Sequence, residues 1–122
     1  MSGRQDELKR AYKENPPAMG VFLVRNLRTN RFVMDASRNV EGSLNRYKFM
    51  LQMGKPGDPF LKYPELMTDY KALGPEAFEF SVLDTLKPKD EPGWDAAEDL
   101  DGLKELWREA LSQRGWEPYP ET

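Results

Sequence analysis

The chain has no cysteine and no histidine among its 122 residues. Without cysteine, disulfides and thiolate zinc centres are excluded. Without histidine, the commonest general base and the commonest transition-metal ligand are gone. Long apolar runs are missing too: none approaches the roughly 18 residues that a membrane helix needs. The opening stretch, MSGRQDELKR, is polar and charged and has no apolar segment of a secretion signal. A cytoplasmic location without membrane attachment is therefore the expectation. The length suits a single domain with one core.

Charge is present and unevenly placed. Residues 1–55 carry eleven Lys or Arg against five Asp or Glu, whereas residues 56–122 carry seven against sixteen. Such a split suits a nucleic-acid face backed by an acidic half. It equally suits two halves that neutralise each other in the fold.

The pattern along the chain alternates short apolar runs with helical spacing. RQDELKRAYKEN, residues 4–15, is rich in helix formers and stops before Pro16-Pro17. GVFLVRN, residues 20–26, predicts a buried strand. LRTN supplies a turn with Asn30 at positive φ, and RFVMDA returns as the second strand of an antiparallel hairpin. Asn39 is a helix N-cap with Glu41 in the first turn, and Val40, Leu44, Tyr47 and Leu51 recur at helical spacing. After the loop GKPGDP come a helix with Pro64 in its first turn and a third strand, Phe78 to Leu83. A polar connection leads to a last amphipathic helix through Leu100, Leu103, Trp107 and Leu111, and the tail GWEPYPET reads as extended. The expected fold is α+β, a small three-stranded antiparallel sheet flanked by helices. The expected divisions are 1–18 for the first helix and its proline linker, 19–112 for the domain, and 113–122 for the tail.

These pieces, in this order, resemble the GIY-YIG nuclease domain over roughly residues 19–112. Gly20-Val21-Phe22 is similar to the GIY element, and Val33-Met34-Asp35 falls where YIG belongs. Ala36-Ser37-Arg38-Asn39 resembles the polar run that leads into the family's first helix, and Phe78 to Leu83 its third strand. Trp107 suits an aromatic that follows the family's acidic residue on the last helix. The resemblance implies phosphodiester hydrolysis with one divalent metal. Two tyrosines would activate water and support the site, an arginine would stabilise charge on the phosphate, and a glutamate would hold magnesium.

At each of those positions the residue differs. The first tyrosine is Phe22 and the second is Val33. The glycine of YIG is Asp35, the arginine falls on Ser43, and a histidine of some members falls on Tyr47. The metal glutamate falls on Lys104, which repels a cation. Substitutes are at hand: Arg46 shares a helix face with Ser43, Tyr47 offers a phenol, and Asp101, which shares a face with Lys104, could join Asp35 as a relocated metal site. As purely structural residues, Phe22 and Val33 are core, Asp35 is a strand-end residue, and Arg46 and Asp101 are solvated.

Three functions follow. The first is a degenerate member of the nuclease superfamily that binds DNA or RNA, or a partner, without the family's cleavage and with no cofactor. Its phosphate contacts would be Arg31, Arg38 and Arg46, since binding needs cations and not a base. The second is a magnesium-dependent endonuclease with a rebuilt site. The third is a protein-docking module that uses the acidic C-terminal half, whose binding would survive high salt. Trp94, Trp116 and Tyr119 are either partner contacts or lids on the core. The acidic string DEPGWDAAEDLDG lacks the spacing of a calcium loop and reads as a solvated linker.

Overall fold

The computed structural model describes residues 17–55 and 62–121. The helix expected over residues 4–15 lies outside the described residues. Strands β1 (Met19–Asn26) and β2 (Arg31–Ser37) form the antiparallel hairpin, in register from Gly20 opposite Ser37 to Arg25 opposite Phe32. The turn closes as its residues require. Asn30 takes φ 61° and donates its backbone N–H to the Asn26 carbonyl at 2.8 Å. An asparagine tolerates that left-handed geometry because its short amide bonds locally.

Helix α1 (Val40–Met53) starts where Asn39 caps it, the side-chain oxygen accepting from the Gly42 N–H at 2.9 Å. A Cβ on Gly42 would press within 2.6 Å of that capping amide, so the glycine that weakens the helix also leaves the cap its room. Helix α2 (Pro64–Leu73) opens on the proline, whose fixed φ suits a first helical position. A short 3-10 turn, Pro75–Ala77, then leads into β3 (Phe78–Leu86), and α3 (Ala96–Gln113) begins at an Asp95 cap.

Strand β3 pairs antiparallel with β1 and runs beyond the expected Leu83 to Leu86. The register slips between Val21 and Phe22, which face Asp84 and Val82, so Leu83 is an extra residue. Such a bulge re-aims side chains. Here Leu83 packs in the cluster beneath α3, and the Asp84 carboxylate accepts from the Trp107 indole N–H at 3.1 Å. Opposite the bulge, a Cβ on Gly20 would collide with the Asp84 carbonyl oxygen, which explains the glycine at the second position of β1.

The α+β expectation holds, with one addition. A fourth strand, β4 (Glu117–Pro118), pairs parallel to β2 at Arg31 and Phe32, which makes the sheet mixed, in the order β3-β1-β2-β4. It is two residues long and carries no apolar run, so nothing local announces it.

The sheet lies between helices. Alternate residues of β1 and β2 face opposite ways. Phe22, Val24 and Val33 join residues of α1 and α2 in one core cluster, and Val21, Leu23, Phe32 and Met34 join α3 in the other. Tyr119 returns from the tail to sit in the first cluster at 3 % exposure. No helix among the described residues is long and apolar enough to cross a membrane.

Candidate nucleic-acid interface

A cleft of about 460 Å³ opens beside α1, lined by Phe22, Asp35, Ala36, Ser43, Arg46, Tyr47, Met50, Lys62, Tyr63, Lys104 and Glu121. Each element delivers its residue for a local reason. Phe22 comes from the β1 face that looks toward α1, and its ring lies 5.6 Å from that of Tyr47. Ser43 lies three and four residues before Arg46 and Tyr47, which in turn lie four and three before Met50, so the set forms one stripe of α1. Ser43 is tied by its hydroxyl to Ser37 at the end of β2, 2.7 Å away. Lys104 reaches in from α3 and bonds the Asp35 carboxylate at 2.9 Å.

That ion pair decides the cleft's chemistry. A divalent hard cation wants several oxygen donors. Asp35 instead faces an ammonium, and among the described residues no three His, Cys, Asp or Glu side chains group as a metal centre. Asp101 is exposed on α3 and is not part of the cleft lining, although it shares a helix face with Lys104. The longer lysine stem reaches β2. The residues present therefore do not fit a resident magnesium ion.

The two phenols are held protonated. Burial raises Tyr47 well above the ordinary tyrosine value; Tyr63, Asp35 and Glu121 add to the rise, and Arg46 opposes it. Burial likewise raises Tyr63, helped by Glu121 and Asp35 and opposed by Arg108. A phenol that resists ionisation is a poor base for activating water. It remains a hydrogen-bond donor, suited to a phosphate oxygen or another acceptor. Arg46, Lys62 and Lys104 line the cleft together with Asp35 and Glu121, three cations with two carboxylates.

Most positions singled out in the sequence line this cleft: Phe22, Asp35, Ser43, Arg46, Tyr47 and Lys104. Val33 does not. It is 2 % exposed and belongs to the core. Arg38 is exposed just before the α1 cap. Arg31 is committed elsewhere, to Glu65 at 3.3 Å, Asp69 at 3.9 Å and the face of Tyr119 at 4.5 Å. Trp116 lies under Arg25 at 4.3 Å, and Trp94 donates its indole N–H to Asp99 at 2.7 Å. Tyr63 and Lys62, which follow a loop, and Glu121, which returns from the tail, carry no local signal that would place them here.

No family model matches this sequence, and no curated protein matches it. Solved structures do match. The chain superposes on the catalytic domain of the intron endonuclease I-TevI, in a point-mutant form, with a TM-score of 0.61 at 16% identity, over 84% of this chain and 92% of that one. A second structure of the catalytic domain of homing endonuclease I-TevI gives 0.55 at 17% identity, over 77% and 88%. The fold is that of the I-TevI catalytic domain. At such identity the likeness concerns the path of the backbone.

Proposed function

We propose that this chain is a nucleic-acid-binding module on a GIY-YIG-like fold, which receives a backbone phosphate in the cleft and does not cleave it by the family's metal route. The observation that carries this reading is the Lys104–Asp35 pair at 2.9 Å in the cleft wall. On the GIY-YIG resemblance Lys104 falls at the metal-ligand position, and its ammonium engages a carboxylate that a metal would otherwise use. Arg46 is exposed, lines the same cleft and makes no ion pair with a described residue, so it is open to a phosphate. Arginine suits that role because its planar fork bonds phosphate oxygens in pairs. The neutral Tyr47 and Tyr63 hydroxyls supply further donors. The I-TevI-like fold adds a reason to expect DNA or RNA as the ligand.

The test is an anisotropy and cleavage assay on fluorescein-labelled single-stranded, duplex and branched DNA and RNA, with magnesium and with chelator. Binding is expected to weaken as salt rises, to ignore the chelator and to proceed without cutting. Metal-dependent cutting that falls in Asp35→Ala or Asp101→Ala would establish the rebuilt endonuclease instead. Binding of no nucleic acid would direct the search to a protein partner.

A further inference from the structure

The cleft contains one carboxylate that no strand or helix supplies. Beyond β4 the chain is fixed at Tyr119, whose backbone N–H donates to the Phe32 carbonyl at 2.7 Å and whose ring is 3 % exposed. Its hydroxyl donates to Asp69 at 2.7 Å and accepts from the Asn26 amide at 3.0 Å. Pro120 follows, with a ring that restricts the direction of the chain. Glu121 is next, and it lines the cleft with Arg46, Lys62 and Lys104. Its charge is felt by both cleft phenols, Tyr47 and Tyr63. An acidic side chain two residues past a buried anchor is thus held among the cations that would meet a phosphate.

We propose that Glu121 is a built-in competitor for the cleft, a tethered carboxylate that stands where a nucleic-acid phosphate binds and must move aside for it. This rests on the nucleic-acid reading of the same cleft. The tether makes the competition intramolecular, so a weak carboxylate acts at high effective concentration. Displacing it requires movement only beyond Tyr119, so the anchor and the core stay in place. The arrangement favours ligands that bring more than one phosphate, because these outbid a single carboxylate while isolated anions do not. The tail is then a threshold against small anions.

The experiment compares Glu121→Gln with Glu117→Gln, which removes the same charge from the exposed β4 position outside the cleft. The readouts are the affinity for a fluorescein-labelled DNA single strand and the ultraviolet titration of tyrosine. Glu121→Gln is expected to tighten binding about fivefold, the scale of a partly exposed ion pair. Glu117→Gln should do clearly less, and the gain should shrink in an Arg46→Ala background, since both side chains line the same cleft. Without any ligand, Glu121→Gln should also let cleft tyrosines ionise at lower pH, while Glu117→Gln should not.

Equal gains from the two variants would overturn the competitor and leave the nucleic-acid reading standing. An unmoved tyrosine titration would overturn it too, by removing Glu121 from the cleft. A wild type and Glu121→Gln that both fail to bind would sink the competitor together with the reading it rests on.

Discussion

Two places in this molecule are made from the same kinds of residue and do different things. At the clasp, Tyr119, Arg31, Asp69 and Asn26 meet, with the Tyr119 hydroxyl bonded on both sides and Arg31 both stacked and paired. At the cleft, Tyr47, Tyr63, Arg46, Lys104 and Asp35 surround about 460 Å³ of open space. In the clasp each polar group already has its partner inside the protein, so the set fixes the tail. In the cleft Lys104 and Asp35 are paired, while Arg46 makes no ion pair with a described residue and faces the open space. A phenol, a guanidinium and a carboxylate do not by themselves make a site; what matters is whether they are matched to one another.

The largest effect that would sharpen this contrast is at the anchor. Tyr119→Ala removes a buried aromatic ring and should cost about 3–5 kcal/mol of stability, read from urea unfolding. Tyr119→Phe keeps the ring but leaves the fully buried Asn26 amide without its hydroxyl partner, a loss of about 1–3 kcal/mol. A Tyr119→Phe protein as stable as the wild type would mean that the clasp is packing alone.

Tyr119 also gives the clasp a pH signature. Its hydroxyl is pushed up to about 12 from the ordinary 10.0, by burial first and by Asp69 as acceptor and neighbouring charge, against the Asn26 hydrogen bond and Arg31. Between those values the unfolded chain has released the proton and the folded chain still holds it. The unfolded state then binds fewer protons, so stability falls as pH rises. The contribution is whole below 10.0 and lost by about 12. Subtracting the Tyr119→Phe curve from the wild-type curve, from unfolding midpoints across this range, should isolate the decline. Parallel curves would show that the hydroxyl titrates freely.

Arg46→Ala probes the other half of the contrast. Affinity for a DNA single strand should fall about tenfold, and the slope of affinity against salt should drop by about one counterion. Stability should stay within about 0.5 kcal/mol, because the side chain is exposed. An unchanged affinity would remove Arg46 from the interface.

How far the sequence reached depended on how local each cause is. The hairpin, the Asn30 turn, the Asn39 cap and the Pro64 start are set within a few residues, and all were readable. The convergence of Phe22, Ser43, Tyr47 and Lys104 was readable through the resemblance, because their spacing follows the order of elements. Strand β4 was not, since Glu117 and Pro118 become a strand only because β2 offers an edge. Nor could the three arginines be told apart. Arg31 and Arg46 look alike as cations, and what separates them is Glu65, 34 residues away from Arg31, and Tyr119, farther still. Glu121 enters the cleft through the same kind of distant return.

The smallest predicted effect is the one most able to break the comparison. Arg31→Ala deletes an arginine of the basic half that sequence alone would aim at phosphate. In the structure its contacts are partly solvated: the side chain is 27% exposed and its Glu65 partner 53%. Water and salt screen such pairs, so each is worth about 0–1 kcal/mol, and stacking on the Tyr119 ring adds a comparable amount. Unfolding should therefore show a loss of only about 1 kcal/mol. Binding to the same DNA strand should change less than twofold, because the Arg31 guanidinium is engaged by Glu65, Asp69 and the Tyr119 ring. If Arg31→Ala weakened binding as strongly as Arg46→Ala while leaving the fold intact, the clasp would also be a ligand surface. The line between a matched and an unmatched set of the same residues would then no longer separate structure from recognition in this fold.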